Sequence, residues 1–210
     1  MKRRLLATML LAGAALATAG CASLLSSSQA PAQEFLLEAD PGPAQAGAPG
    51  ALTLLVDAPS AAAAYRTTDL LYRDSGPRLR RYRDSRWSAP PAQLAAEALA
   101  ADLAASGLFR AVLPSPGPAQ ADLRLELRLL RLEQVFVDDD ASTSRLVVAL
   151  QATLTSPPRG LLLASRRFRV SEPAPGNAAG AAAAANRALT RLARDLRAFL
   201  APHASASPRS

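Results

Sequence analysis

The sequence predicts an α/β fold in a single domain: a mixed, mostly antiparallel sheet with two main helices packed on it. Two observations carry this. Apolar and polar residues alternate along several separate stretches, the period of a strand half-buried in an antiparallel sheet. Two other stretches are helical, one bounded by Pro and Gly and one with Leu and Ala at spacings of three and four. The chain has 210 residues, enough for one ordinary domain with a real core. Half of it is apolar but only 4% is aromatic, so the core is expected to rest on Leu and Val with few large rings.

The first element is a targeting segment, residues 1–20. Met1–Arg4 is positively charged, and residues 5–16 are apolar. That run is shorter than the ~20 residues a membrane-spanning helix needs and suits a secretory signal. Ala17, Thr18, Ala19 and Gly20 then lead to Cys21, the only cysteine. The stretch resembles a bacterial lipobox, departing from it at Thr18, where that motif usually carries an aliphatic residue. Cleavage between Gly20 and Cys21 and lipidation of Cys21 are expected. A thiolate is the side chain best suited to take a diacylglycerol as a thioether, and two or more acyl chains give stable anchoring. Ala22, rather than Asp, follows the cysteine; by the sorting rule of diderm bacteria this favours the outer membrane. A plain secreted protein with a free thiol is the alternative. One cysteine excludes a disulfide framework.

Residues 21–33 read as a lipidated N-terminus and flexible tether rich in Ser, Ala and Gln, able to reach ~40 Å when extended. The folded domain is expected over 34–201 and a disordered polar tail over 202–210. Within the domain, residues 35–39 form a first strand. Leu52, Leu54 and Val56 alternate with Thr53, Leu55 and Asp57. Residues 90–106 form a helix that opens at a Pro pair and stops at Gly107. Leu123, Leu125, Leu127 and Leu129 alternate with charged residues until the phase slips at Leu129–Leu130, which predicts a bulge. Leu146, Val148, Leu150, Ala152 and Leu154 mark a further strand, and residues 161–170 another. "DDDAST" and "SPPRG" supply the turns between them. The second helix runs from about Asn177 to Leu200, with Leu189, Leu192, Ala193, Leu196, Phe199 and Leu200 as its apolar stripe. Arg187, Arg191 and Arg194 line the same helix elsewhere; a solvated face is the plain reading, and contact with an acidic partner or lipid phosphate the sharper one. One polar sheet face is compatible with assembly, a homo-oligomer included.

The formal charge is +7, and three of those charges lie on Lys2, Arg3 and Arg4 in the targeting segment. The remainder is modest and suits at most a weak preference for anionic surfaces. No basic block interleaved with aromatics is present, so nucleic acid is not expected as a partner. His203 is the only histidine. No set of metal ligands, nucleophile elbow or phosphate loop can be read from the chain. Asp138, Asp139 and Asp140 are read as a turn rather than a cation loop, and nothing places Asp69, Asp74, Asp84 and Glu97 together. No cofactor, no metal and no enzymatic activity are expected.

One stretch, residues 59–113, carries a family resemblance. Tyr72-Arg73 ends a strand, and a charged hairpin with Tyr82 follows. Trp87 and, three residues on, Pro90 open a helix that ends in "GLFRAVL". In this order the residues resemble the auxiliary lipoprotein family of ABC-type transporters, the PqiC/YmbA-like group. The resemblance implies a lipid-anchored periplasmic accessory subunit that works with an ABC transporter and an MCE-domain protein carrying lipid between two membranes. The motif residues Tyr72, Arg73, Tyr82, Trp87 and Pro90 are read as mostly structural: Trp87 is expected to plug the junction between hairpin and helix with its ring buried and its N–H paired, the alternative being a partly exposed interface anchor. A structural or assembly lipoprotein of the envelope, without a transporter, is the alternative, and a soluble carrier with an enclosed apolar cavity is a third reading.

Overall fold

The computed structural model describes residues 31–44, 49–74, 76–116, 121–137 and 144–204. The lipobox with Cys21, most of the tether, the Asp138–Asp140 turn and residues 205–210 lie outside them. Every described element falls within residues 32–210, which form one unit.

The backbone of that unit is β7 (Leu123–Phe136), a strand long enough to serve different neighbours along its length. One edge pairs antiparallel with β8 (Ser144–Ser156), which pairs antiparallel with β9 (Leu161–Ala174). The other edge takes three parallel strands in succession: β2 (Thr53–Val56), β3 (Ser60–Ala61) and β4 (Asp69–Arg73). Beyond β2 lies β6 (Ala111–Pro114), parallel. Beyond β4 lies β5 (Leu79–Trp87), antiparallel, and then β1 (Gln33–Phe35), parallel. Most of the paired length is antiparallel, as expected, yet five of the eight strand pairings are parallel.

The phase slip expected at Leu129–Leu130 is a bulge. Leu129 pairs with Leu150 and Arg131 with Ala149, so Leu130 is the extra residue. An extra residue inverts the pleat. Before it the odd positions Leu123, Leu125, Leu127 and Leu129 are buried; after it Leu132 takes the core side opposite Val148.

Two helices cover that core side. α1 (Pro91–Ala105) buries Ala92, Ala95, Ala96, Leu99 and Leu103 and ends at Ser106, whose hydroxyl donates to Leu103 O. Gly107 follows with φ of 74°, the left-handed stop that glycine adopts without strain. α2 (Ala178–Ala204) starts where Asn177 Oδ1 accepts the Gly180 N–H at 2.7 Å. Any Cβ on Gly180 would lie 2.7 Å from Pro175 O, so the close entry of the chain into this helix requires glycine. Ala181, Ala184, Ala185 and Ala188 are wholly buried and let the helix approach the sheet; Leu189, Leu192, Leu196 and Leu200 then fill the space. Phe199, half-buried, meets Phe168 of β9 edge-on at 5.7 Å. The helix continues past Leu200 through Pro202 and His203 to Ala204, so residues 202–204 are not tail: Ala204 is buried and extends the apolar stripe by one turn.

A buried ion pair joins the helices. Asp102, on the apolar stripe of α1, faces Arg197 of α2 at 3.2 Å. Its other oxygen accepts the Gly42 N–H, and Arg197 also donates to Pro43 O. The segment after β1 is thereby strapped to α2, where Asn186 and Thr190 side chains accept the N–H groups of Glu38 and Asp40.

Three expectations change. The first strand is Gln33–Phe35 rather than 35–39, and it holds Gln33, which the tether was expected to include. Leu36–Asp40 instead carry the strap, in which the Glu38 and Asp40 N–H groups donate to α2 side chains. β2 is neither antiparallel nor half-buried: all four of its residues are buried, because it lies between two parallel neighbours. On its second face Arg124 stands opposite Leu55 and Arg110 donates to Thr53 Oγ1, so arginine stems cover what alternation would have left wet.

Trp87, the last residue of β5, is 2% exposed and pairs with Phe35, while its backbone N–H reaches Thr68 O. Trp87→Ala is expected to lower unfolding stability by ~3–5 kcal/mol in urea titrations; an unchanged midpoint would show that the ring does not support the core.

Candidate functional site

Alternation along β4 sends Tyr72 and Arg73 to opposite faces. On one face Tyr72 stacks against Tyr82 of β5, with ring centroids 4.9 Å apart, and meets Phe136 edge-on at 5.9 Å. Tyr82 OH donates to Gln134 Oε1. Gln134, fully buried, passes the connection on: its Nε2 donates to Ser144 Oγ and, at 2.7 Å, to Pro175 O. Ser144 Oγ in turn donates to Ala174 O at 2.7 Å. One polar chain therefore crosses from β5 through β7 and β8 to the residue that leads into α2.

On the other face Arg73 points to Glu133, whose side chain is 0% exposed. Arg73 Nε lies 3.0 Å from Oε1 without hydrogen-bond alignment, while its Nη2 donates to Oε2 at 3.4 Å. Arg131 binds Oε1 through Nε at 2.8 Å and Nη2 at 2.5 Å. Tyr65 OH donates to Oε2 at 2.5 Å. A buried carboxylate needs such company, since an unpaired one would cost several kcal/mol. Burial first, and then the Glu133 hydrogen bond and charge, push the Tyr65 phenol pKa well above its usual value. Burial, followed by the charge of Tyr72, pushes Tyr82 up to about 12.

The structure thus brings Tyr72, Arg73 and Tyr82 together around Glu133 and Gln134, two adjacent residues of β7. Trp87 and Pro90 stand apart from this cluster. Pro90 is exposed and caps α1, its carbonyl accepting from Gln93 and Leu94. Both oxygens of the Glu133 carboxylate are engaged, so the cluster ties β4, β7 and the Tyr65 turn together. Glu133, Gln134, Tyr65 and Asp102 were not identified from the sequence. Glu133-Gln134 had a signal, two polar residues side by side in a leucine-rich strand just past its phase slip. Asp102 had another, an acid three residues after Leu99 on an apolar helical stripe.

The remaining candidates stay dispersed. Asp74 pairs with Arg80 at 3.1 Å, and Glu97 accepts from Gln93. His203 sits beside the Phe199 ring and lines a cavity of about 150 Å³ with Leu52, Asp122 and Arg159. No group of three or more metal-ligating side chains occurs among the described residues. Of the arginine stripe on α2, Arg191 and Arg187, both exposed, turn to Glu172 of β9, at 2.7 and 4.0 Å, an intramolecular pairing that neither reading gave.

A family model described as ABC-type transport auxiliary lipoprotein component matches residues 35–197. The chain belongs to that family. The match spans the described unit from the end of β1 to the last turns of α2, both polar networks included. Among solved structures, this auxiliary lipoprotein is similar to protein XCC0632 from Xanthomonas campestris, of the DUF330 family, at 24% identity and a TM-score of 0.73, over 81% of this chain and 95% of that one. It is also similar to an uncharacterized protein at 13% identity and a TM-score of 0.59, over 81% and 99% of the two chains. At these identities both show a shared fold. No curated protein matches the chain. No described helix of this auxiliary lipoprotein is long and apolar enough to cross a membrane.

Both tyrosines hold their protons more tightly folded than unfolded, so their contribution is complete below the unfolded value of ~10 and is lost as pH rises through the folded one. The urea midpoint is expected to fall between pH 10 and 12, and Tyr82→Phe to make that fall shallower. A midpoint that stays level across this window would contradict the buried phenols.

Proposed function

We propose that this auxiliary lipoprotein is a non-catalytic subunit of an ABC-type transport system that moves lipid between the inner and outer membranes. Cys21, exposed by cleavage after Gly20, carries the acyl chains that hold it at the periplasmic face of the outer membrane. The folded unit docks on an MCE-domain protein, and the tether lets it reach that partner. The observation that carries this reading is the family match over residues 35–197. The lipobox-like run ending at Cys21 supports the anchor. A binding role also fits a motif whose Arg73 and Tyr82 spend polar atoms on Glu133 and Gln134, both 0% exposed.

The test is purification of the native protein from its own membranes after mild cross-linking. An MCE-domain protein with permease or ATPase is expected in the eluate, and the Cys21→Ser chain is expected to leave the membrane fraction. Recovery of outer-membrane assembly machinery alone would overturn the transport reading in favour of envelope assembly.

A further inference from the structure

The helix-free face of the sheet is basic, and strand register shows how. Arg128 of β7 stands opposite Gln151, which stands opposite Arg167 of β9. One step along, Arg131 stands opposite Ala149, which stands opposite Arg169. Residues directly opposed across strands share a face. Strands lie about 4.8 Å apart and same-face neighbours about 7 Å apart, so these four arginines mark the corners of a patch roughly 10 by 7 Å at the backbone. Its centre is Ala149, buried, and Gln151, whose Nε2 donates to Ser165 Oγ.

Most of this charge is unspent. Arg131 is committed to Glu133. Arg128, Arg145, Arg167 and Arg169 are exposed and have no ion pair among the described residues. Along this face of β7 the acids are Glu126, exposed, and Glu133, buried. The same face ends in an apolar side chain: Leu162, opposite Thr155, is 65% exposed. Its neighbour Leu161, opposite Ser156, belongs to the other face and is 52% exposed at the hairpin tip.

We propose that this face lies on an anionic phospholipid surface, with arginines on headgroup phosphates and Leu162 dipping into the headgroup–acyl boundary. Guanidinium groups bind phosphate oxygens in a planar fork, and basic side chains beside exposed leucines are the combination that holds proteins at bilayer surfaces. An acidic protein would satisfy the charge but not the leucine, and the β7–β9 part of this face lacks the aromatic anchors that dominate protein interfaces. Phe136 and Phe168 belong to the opposite face, opposite Ser144 and Leu150. This inference goes beyond the acyl anchor and does not need it.

Residues 32–210, which carry the whole described core, can therefore be tested without Cys21, so failure here and failure of the transport reading are separate results. Co-sedimentation is measured with vesicles of phosphatidylglycerol mixed into phosphatidylcholine, and with phosphatidylcholine alone. Binding is expected only to the first, and to fall at least tenfold in 0.5 M NaCl, roughly as screening predicts; the salt arm needs no variant. Arg167→Ala with Arg169→Ala is expected to weaken binding roughly thirtyfold, at about one kcal/mol per basic side chain, without moving the Tm. Leu162→Ser is expected to weaken it several-fold. Equal binding to both vesicles, binding to neither, or variants that bind like the parent would overturn the proposal. Capture by polyglutamate in the absence of vesicle binding would do the same and assign the face to an acidic protein.

Discussion

One extra residue in β7 sets the terms for the rest of the domain. Leu130 interrupts the ladder between Leu129 and Arg131 and turns the strand's pleat over. Without that inversion Leu132 would face outward and Glu133 would face the helices. With it, the apolar side stays continuous across Leu129, Leu132, Val148 and Leu150, and the carboxylate meets Arg73, Arg131 and Tyr65 on the other side. The bulge also lies between the places where β3 and β4 join the same edge of β7. A straight ladder gives one neighbour per edge; this one accommodates three in succession.

The two polar networks follow from that geometry and work in different ways. Glu133 is a charged hub, and removing any one partner would leave the others facing a dry, uncompensated group. Gln134 is neutral and directional, so it fixes register among β5, β7 and the entry to α2 rather than adding much net energy. Asp102 and Arg197 play a similar part between the helices and also hold the strap over residues 42–43. A domain whose interior is mostly Leu and Ala offers little shape specificity, and such polar joints choose one packing among several. Of the residues picked out by resemblance, Arg73 and Tyr82, both partly buried, spend polar groups on Glu133 and Gln134.

Much of the fold could be read from pattern. β7, β8 and β9 are long and antiparallel with one wet face, so Leu123–Leu129 and Leu146–Leu154 alternate cleanly, and the break at Leu130 was visible as a repeated leucine. α2 announced itself through Leu189, Leu192, Leu196 and Leu200. What escaped was decided by tertiary neighbours. β3 has two residues and no period of its own. β2 looked half-buried because Thr53 reads as polar, yet parallel partners and arginine stems close over it. Pro202 reads as a helix stop, but the buried Ala204 continues the stripe through the last turn. Tyr72, Arg73 and Tyr82 stood out by resemblance, whereas Glu133, their meeting point, is a glutamate among many until the bulge shows which way it faces.

The most direct test of this account is insertion of one alanine between Arg131 and Leu132, compared with deletion of Leu130, read by urea unfolding of residues 32–210. The bulge account predicts loss of cooperative unfolding for the insertion, because Leu132 would then face outward and Glu133 the helices, and retained cooperative unfolding for the deletion, which leaves Leu129 and Arg131 opposite Leu150 and Ala149 in direct succession with their faces unchanged. An insertion variant that unfolds cooperatively at the parent's midpoint would contradict it.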